Sequence, residues 1–216
     1  MPEVERGRLI TIEGIDGAGK STLAEALARE ILGKGRPVEL LREPGGVDIS
    51  ERLRALVKDP ALSISPRAEA LLYAAARAQL VAEKVEPLLA GGTWVLLDRF
   101  VDSSLAYQGT GRALGIEEVR AINQFATGGL TPDRTLLLRI DPSTGRARAH
   151  GRALAPDRLE REDESFFAAI AAAYDELASA CTERIRVIDA TQPPHDVLRD
   201  ALAEIEDLLL SPPIAG

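Results

Sequence analysis

The sequence of 216 residues has one cysteine, few aromatic residues and no long apolar run. The single cysteine, Cys181, cannot form an intramolecular disulfide, which favours a reducing compartment. A small residue, buried or half-buried, is the ordinary role of such a cysteine. No apolar run reaches the roughly 18 residues of a membrane span, and the first residues, MPEVERGR, lack the apolar stretch of a signal peptide. We therefore expect a cytoplasmic protein without a membrane partner.

Basic residues are outnumbered by acidic ones, and the formal net charge is −8 at pH 7. Proteins that bind nucleic acid without sequence preference usually carry the opposite balance, so we expect no nucleic-acid partner. A content of 45% hydrophobic and 28% charged residues allows a folded core, and the length suits one domain. We expect a single domain over 1–216, with residues 1–7 and 211–216 frayed.

Apolar runs of strand length alternate along the chain with longer patterns rich in alanine and leucine. This alternation predicts the α/β class, with a parallel sheet covered by helices on both faces. The predicted strands are Leu9–Ile12, Val38–Leu41, Trp94–Leu97, Thr135–Ile140 and Ile185–Ile188.

Capping residues and prolines mark several helix boundaries. Ser65-Pro66 and Asp141-Pro142 each place a capping side chain before a proline at the first helical position. Gly128-Gly129 is expected to end a helix over Ile116–Thr127. The apolar periodicity of Val197–Leu209 predicts a closing amphipathic helix.

The stretch from Gly14 to Ser21, GIDGAGKS, matches the pattern G-x-x-x-x-G-K-[ST] and lies between a predicted strand and a predicted helix, Thr22–Leu32. Glycines let backbone N–H groups converge on an anion, and the helix N-terminus adds partial positive charge. Lys20 would reach the β- and γ-phosphates of a nucleoside triphosphate, and the Ser21 hydroxyl would bind Mg²⁺. The alternative is a glycine-rich turn with a chance lysine. The residues assigned to phosphate binding are Gly14, Ile15, Asp16, Gly17, Ala18, Gly19, Lys20, Ser21 and Thr22.

A second acidic position follows the apolar run that begins at Trp94. Asp98 would stand at the carboxyl end of a strand, where it could hold Mg²⁺ directly or through water; the alternative is a cap for whatever follows. Arg99 lies at the same edge, where open α/β sheets bind ligands. The sequence has no N-K-x-D for reading guanine, which argues against a GTPase.

Two further segments are candidates for a binding pocket. The polar, glycine-containing stretch Asp102–Gly111 is typical of pocket-lining loops. Tyr73 and Arg77 stand four residues apart on a helical pattern and so share one face, although a surface pair is the ordinary interpretation of such spacing.

These segments together resemble the thymidylate kinases, which transfer the γ-phosphoryl group of ATP to dTMP. The resemblance runs from about Arg8 to Leu209, and its most specific parts are REPGG at Arg42–Gly46 and DRF with DSSLAYQG at Asp98–Gly109. It implies a three-layer sandwich with a five-stranded parallel sheet of order 2-3-1-4-5 and a small mobile lid. It also implies Mg²⁺ as cofactor and a homodimer.

The resemblance assigns roles to individual residues. Tyr73, in place of the usual phenylalanine, would stack on thymine, while Arg77, Ser104 and Gln108 would lie at the base. Arg54 and Arg99 would hold the 5′-phosphate, Asp16 would accept from the 3′-hydroxyl, and Tyr107 would exclude a ribose. Glu43 is expected near the acceptor phosphate and Mg²⁺. The full set for dTMP is Asp16, Glu43, Pro44, Arg54, Tyr73, Arg77, Arg99, Ser103, Ser104, Tyr107 and Gln108; Thr191, Gln192 and Pro193 would lie near adenine.

The lid is predicted at about residues 146–161, a stretch rich in arginine whose alternative interpretation is a solvated basic helix and loop. One subtype of the family carries an arginine in the phosphate turn, at the position of Gly17 here. The chain therefore resembles the subtype that supplies an arginine from the lid, with Arg152 and Arg158 as candidates beside the catalytic Lys20, Asp98, Arg99 and Glu43. The rival predictions are another nucleoside monophosphate kinase, a deoxynucleoside kinase, or a nucleotide-binding switch without turnover.

Overall fold

The computed structural model describes residues 5–150 and 157–210, apart from the side chains of residues 149 and 150. In that part of the chain the sheet has five parallel strands in the order β2-β3-β1-β4-β5, which confirms the predicted class and order. The strands are β1 Leu9–Glu13, β2 Val38–Arg42, β3 Trp94–Asp98, β4 Arg134–Arg139 and β5 Ile185–Asp189.

Ten α-helices connect and cover these strands within the described ranges. Their bounds are α1 Lys20–Gly33, α2 Asp48–Lys58, α3 Pro66–Leu80, α4 Glu86–Ala90, α5 Val101–Ser104, α6 Ile116–Thr127, α7 Pro142–His150, α8 Glu164–Ala180, α9 Pro194–Ala203 and α10 Glu206–Leu210. Wider, π-helical turns continue α3 through Val81–Val85 and α5 through Leu105–Gly111. No helix in the described ranges is long and apolar enough to cross a membrane.

Most of the predicted helix boundaries are where the sequence puts them. Asp141 accepts from the backbone N–H of Ser143 at 2.9 Å at the start of α7, and Gly128 ends α6 in a left-handed conformation with φ 60°. Ser65 precedes α3, but its side chain makes no capping hydrogen bond. Cys181 is a free, half-buried thiol at the end of α8.

The closing segment differs from its prediction. Instead of one helix over Val197–Leu209, α9 begins at Pro194 and a turn separates it from α10. The earlier start follows from Pro194 at the first helical position, where a missing N–H costs nothing. Apolar periodicity is continuous through the turn because Ile205 stays fully buried there, so the pattern alone could not reveal the break.

Apolar side chains on the central strands point alternately to the two faces of the sheet, and each face has its own apolar core. On β3, Trp94 and Leu96 pack into the larger apolar cluster, whereas Val95 and Leu97 pack into the smaller one. Successive strand residues point to opposite faces, so this division requires two helical layers and makes the molecule a three-layer sandwich.

The described N-terminal residues are held by the body of the protein. Gly7 is buried, and its N–H donates to the carbonyl of Leu89 at 2.7 Å. A Cβ at this position would lie 2.0 Å from the carbonyl oxygen of Thr93, so only glycine fits. The expected fraying of residues 1–4 and 211–216 lies outside the described residues.

Candidate active site

The phosphate-binding turn connects β1 to α1 at the carboxyl edge of the sheet. Its three glycines all have positive φ: 137° at Gly14, 82° at Gly17 and 95° at Gly19. The turn ends at Lys20, where α1 begins two residues earlier than predicted. The backbone thus has the left-handed steps that turn successive N–H groups towards an anion at a helix N-terminus.

Gly17 is required by packing as well as by conformation. A Cβ there would lie 2.0 Å from the carbonyl oxygen of Gly145 in α7. The start of α7 therefore rests directly on the phosphate turn, and an arginine at position 17 does not fit this arrangement.

Lys20 is held close to the turn by short contacts. Its Nζ donates to the carbonyl of Ile15 at 2.9 Å and lies 3.9 Å from Asp16 Oδ1. Burial, reinforced by the charge of Arg99, lowers the pKa of Lys20 to about 8. At neutral pH the ammonium group still carries its charge beside the turn, in a position suited to a phosphate.

Ser21 and Asp98 meet across the start of α1, since Ser21 Oγ donates to Asp98 Oδ2 at 2.8 Å. Hydroxyl and carboxylate oxygens are the hard ligands that Mg²⁺ prefers, and this ion commonly takes only one or two protein ligands beside phosphate and water. The two side chains fit the expected Mg²⁺ site.

Arg99 lies between the phosphate turn and the rest of the cavity. Its Nη2 donates to Asp16 Oδ1 at 2.6 Å, and its Nη1 donates to the carbonyl of Gly14 at 3.1 Å. Its guanidinium also covers the ring of Tyr107, 5.0 Å from the ring centroid. Burial alone would raise the pKa of Asp16, but Arg99 and Lys20 hold it well below its ordinary value. Asp16 is therefore a carboxylate that accepts hydrogen bonds.

Arg77 is 2% exposed, and its hydrogen bonds go to the protein. Its Nε donates to Glu43 Oε2 at 2.7 Å, its Nη2 donates to the carbonyl of Phe100 at 2.9 Å, and its Nη1 donates to Ser104 and Asn123. Nη2 also pairs with Glu43 at 2.6 Å, so each N–H of the guanidinium has a partner. A thymine carbonyl could gain a hydrogen bond from Arg77 only if one of these contacts opened. Sequence reasoning missed Asn123, since it lies mid-helix in α6 without any motif.

Glu43 is nearly fully buried in this cluster. Burial, against the charge of Arg77, raises the pKa of Glu43. Its second oxygen, Oε1, is buried and makes no hydrogen bond within the described residues. Within this part of the chain, Glu43 thus has an unpaired acceptor beside the cavity that this residue lines.

Glu13, at the end of β1, is a buried carboxylate that sequence reasoning did not single out. Its Oε1 accepts from the backbone N–H of Phe100 at 2.7 Å, and its Oε2 accepts from Ser103 Oγ at 2.6 Å and Tyr174 OH at 3.0 Å. Burial, with the nearby charge of Asp102, raises the pKa of Glu13 to about 7. Arg99 Nη1 donates to Ser103 Oγ at 3.0 Å, and Ser103 in turn donates to Glu13. Glu13 therefore helps to position Arg99 through Ser103. The sequence signal that could have revealed Glu13 is its position, a charged residue directly before Gly14 at the end of an apolar run.

One cavity of about 250 Å³ joins the phosphate turn to these side chains. Every residue predicted for dTMP lines it, including Pro44, Arg54, Tyr73 and Gln108. Arg54 Nη1 donates to the carbonyl of Pro44 at 2.8 Å, which fixes its guanidinium at the rim. The edge of the sheet thus brings together segments that are far apart in the sequence.

The predicted lid is only partly described. Arg152 lies outside the described residues. Asp157, Leu159 and Glu160 line the cavity, but Arg158 does not. Instead, the Nε of Arg158 donates to the carbonyl of Val57 at 2.9 Å, and its Nη2 pairs with Glu69 at 2.7 Å.

The residues predicted near adenine follow β5. Thr191 lines a second cavity of about 610 Å³, together with Gly14 and Asp141. Gln192 instead donates to Asp200 at 3.0 Å, and Pro193 caps α9. Only the first of the three therefore faces this cavity.

A parallel sheet of order 2-3-1-4-5, a glycine-rich turn ending in Lys20 and an adjoining cavity lined by arginine and aromatic side chains define a protein of the P-loop kinase fold. Comparison with known proteins then narrows the class. A family model described as thymidylate kinase matches residues 12–201.

Curated proteins named thymidylate kinase are similar in sequence to this chain over most of their length. The chain is 45% identical to a thymidylate kinase of Halorhodospira halophila over 98% of both chains. It is 47% identical to that of Lactobacillus delbrueckii subsp. bulgaricus, over 87% of this chain and 90% of the relative. It is 44% identical to that of Deinococcus radiodurans, over 94% and 98%. The chain belongs to the thymidylate kinase family.

Proposed function

We propose that this protein transfers the γ-phosphoryl group of ATP to the 5′-phosphate of dTMP, giving dTDP and ADP. The observation that carries the proposal is the single cavity shared by the phosphate turn, Arg99 and the predicted nucleotide-binding side chains. Together with family membership, it favours a kinase whose donor and acceptor phosphates meet at the edge of the sheet.

At the donor end, Lys20 and the N–H groups of residues 14–22 would bind the β- and γ-phosphates. The difficulty of phosphoryl transfer lies in charge and alignment, which a fixed lysine and a preorganised turn relieve. Ser21 and Asp98 would hold Mg²⁺, which would supply positive charge that offsets the charge of the phosphate groups.

At the acceptor end, Arg99 and Arg54 would clamp the dTMP phosphate, and Tyr73 would stack on the base. A phosphate dianion is itself the nucleophile, so no strong general base is needed. Asp16, a carboxylate of low pKa, suits a hydrogen bond from the 3′-hydroxyl. Tyr107 packs under Arg99, where its ring would obstruct a 2′-hydroxyl.

The transferring phosphoryl group would receive an arginine from the lid. Arg158 is anchored to Glu69 and Val57, which favours Arg152 for this role. Arg152→Ala should then lower kcat by about 10³-fold or more, the effect typical of such arginines, and more than Arg158→Ala does. The opposite order would assign the role to Arg158.

A coupled assay of ADP release across acceptors tests the activity. We expect dTMP to be phosphorylated well above dUMP, UMP, dCMP or thymidine. Equal rates with UMP would defeat the assignment of the base pocket and favour another nucleoside monophosphate kinase. No ADP release with any acceptor would favour a nucleotide-binding switch.

Two further properties are part of the proposal. A cytoplasmic location accords with the free thiol of Cys181. A homodimer is supported by apolar side chains on helices α3 and α6, where Leu71 is 56% and Phe125 is 92% exposed. Sedimentation of the wild type and Phe125→Asp tests the dimer, and a monomeric wild type would refute it.

A further inference from the structure

Glu69 is a fully buried carboxylate that does not line the cavity, yet it touches a side chain that does. Its Oε1 accepts from Gln108 Nε2 at 2.9 Å and from Arg112 Nε at 3.2 Å. Its Oε2 forms ion pairs with Arg112 Nη2 at 3.2 Å and with Arg158 Nη2 at 2.7 Å. Glu69 therefore links the lid end of the protein to the base end of the cavity.

This contact determines which end of the Gln108 amide faces the protein. A carboxylate facing two guanidinium groups accepts hydrogen bonds and donates none. The NH₂ group of Gln108 must then point to Glu69, since the reverse orientation would place two oxygens against each other. The carbonyl oxygen is the amide atom left for a ligand in the cavity that Gln108 lines.

A fixed carbonyl oxygen distinguishes two kinds of pyrimidine. Thymine and uracil carry an N–H at ring position 3, which donates to such an oxygen. Cytosine has a bare ring nitrogen there, and two acceptors would face each other without a hydrogen bond. We propose that Glu69 is a positioning residue for specificity, which holds the Gln108 amide so that the site takes a base with N–H at position 3; this inference rests on the proposed function.

The surroundings of Glu69 keep the carboxylate in place. Arg112 also donates to Glu162 Oε1 at 2.7 Å and packs over the ring of Phe166, 4.8 Å from its centroid. Arg158 is tied to the carbonyl of Val57. With both arginines fixed from other directions, Glu69 has little freedom to release Gln108. The amide is thereby ordered before a nucleotide binds, which reduces the entropy cost of recognition.

The test compares acceptors in matched variants. Glu69→Gln lets the amide of Gln108 rotate, so the ratio of kcat/KM for dTMP over dCMP should fall about tenfold or more, within the discrimination that a well-placed pair of hydrogen bonds gives. Glu83→Gln changes a carboxylate that accepts from Gln79 Nε2 at 2.9 Å on the exposed surface, away from the cavity, and should leave the ratio unchanged. Glu69→Asp keeps the charge opposite both arginines but withdraws it by one methylene, and it should give an intermediate ratio.

A double-mutant cycle separates positioning from general damage. In a Gln108→Ala background, Glu69→Gln should cause no further change in the ratio, because no amide remains to be oriented. An unchanged ratio in Glu69→Gln, or an equal fall with and without Gln108, would overturn the inference. If thermal unfolding shows that Glu69→Gln is not folded, Glu69→Asp takes its place, and an unchanged ratio in that variant would also overturn the inference. A wild type inactive on dTMP would instead overturn the proposed function, and this inference with it.

Discussion

The phosphate end of the cavity is formed by one continuous stretch, residues 14–21, whereas the base end collects side chains from α3, α5 and the π-helical turn of Leu105–Gly111. At the phosphate end, backbone conformation makes the site, through glycines with positive φ. At the base end, buried side chains such as Arg77 and Gln108 are held by protein partners. A local site can be read from a motif, but a site assembled by packing depends on partners that no motif contains.

The largest expected effect is at the phosphate end. Lys20→Ala should lower kcat on the order of 10³-fold, because a fixed charge beside the transferring phosphate is lost. The free energy of unfolding should change little by comparison. Steady-state kinetics and urea unfolding measure the two effects. Lys34→Ala, at the exposed end of α1, is the matched control. A variant that turned over ATP and dTMP normally would show that the phosphate turn is assigned wrongly.

Arg77→Met probes the base end, and here stability should suffer most. Removing the guanidinium leaves Glu43 buried without its charge partner, so the free energy of unfolding should fall by about 3–5 kcal/mol. Urea unfolding measures the loss. Arg67→Met, on the exposed face of the same helix, should change stability by less than about 0.5 kcal/mol. Equal effects of the two substitutions would mean that the Arg77 cluster adds nothing to stability.

Glu13 connects the two ends and makes stability depend on pH. Its pKa rises from 4.5 to about 7 on folding, so the native state binds the proton more tightly. Its contribution to the free energy of unfolding therefore falls as pH rises from 4.5 to 7 and is constant above. Glu13→Gln removes this dependence. As pH rises from 4.5 to 7.5, the free energy of unfolding of the variant should therefore increase relative to that of the wild type by on the order of 3 kcal/mol.

Urea unfolding at several pH values measures this difference. The groups that face Glu13, namely Asp102, Arg99, Lys20 and Tyr174, remain in the variant. Glu39→Gln, exposed on β2, should leave the pH dependence as in the wild type. A parallel pH profile for Glu13→Gln would contradict the assignment.

The smallest expected effect is at the sugar, between the two ends. Tyr107→Ala removes the ring beneath Arg99, and the preference for dTMP over its ribonucleotide analogue should fall about tenfold. The ratio of kcat/KM values measures it, with Leu32→Ala on the exposed face of α1 as control. Unchanged discrimination would place the exclusion of ribose elsewhere.

Prediction from the sequence succeeded best for the sheet and its edge. The predicted strands β1, β2, β3 and β5 each proved one residue too short at the carboxyl end. The missing residues are polar, Glu13, Arg42, Asp98 and Asp189, because the hydrogen-bonded ladder continues past the last apolar residue to the site. Apolar periodicity ends where the core ends, while the backbone continues to the ligand edge.

The amino-acid sequence alone determined the alternation of strands and helices, the glycine turn and its lysine, since these depend on local periodicity and backbone freedom. The tertiary structure decided which buried groups act on one another: Glu13 with Ser103, Arg77 with Asn123, and Glu69 with Gln108. These pairs join residues from 39 to 90 positions apart. Their hydrogen bonds and charges arise only when packing excludes water and brings distant elements together, which no local pattern encodes.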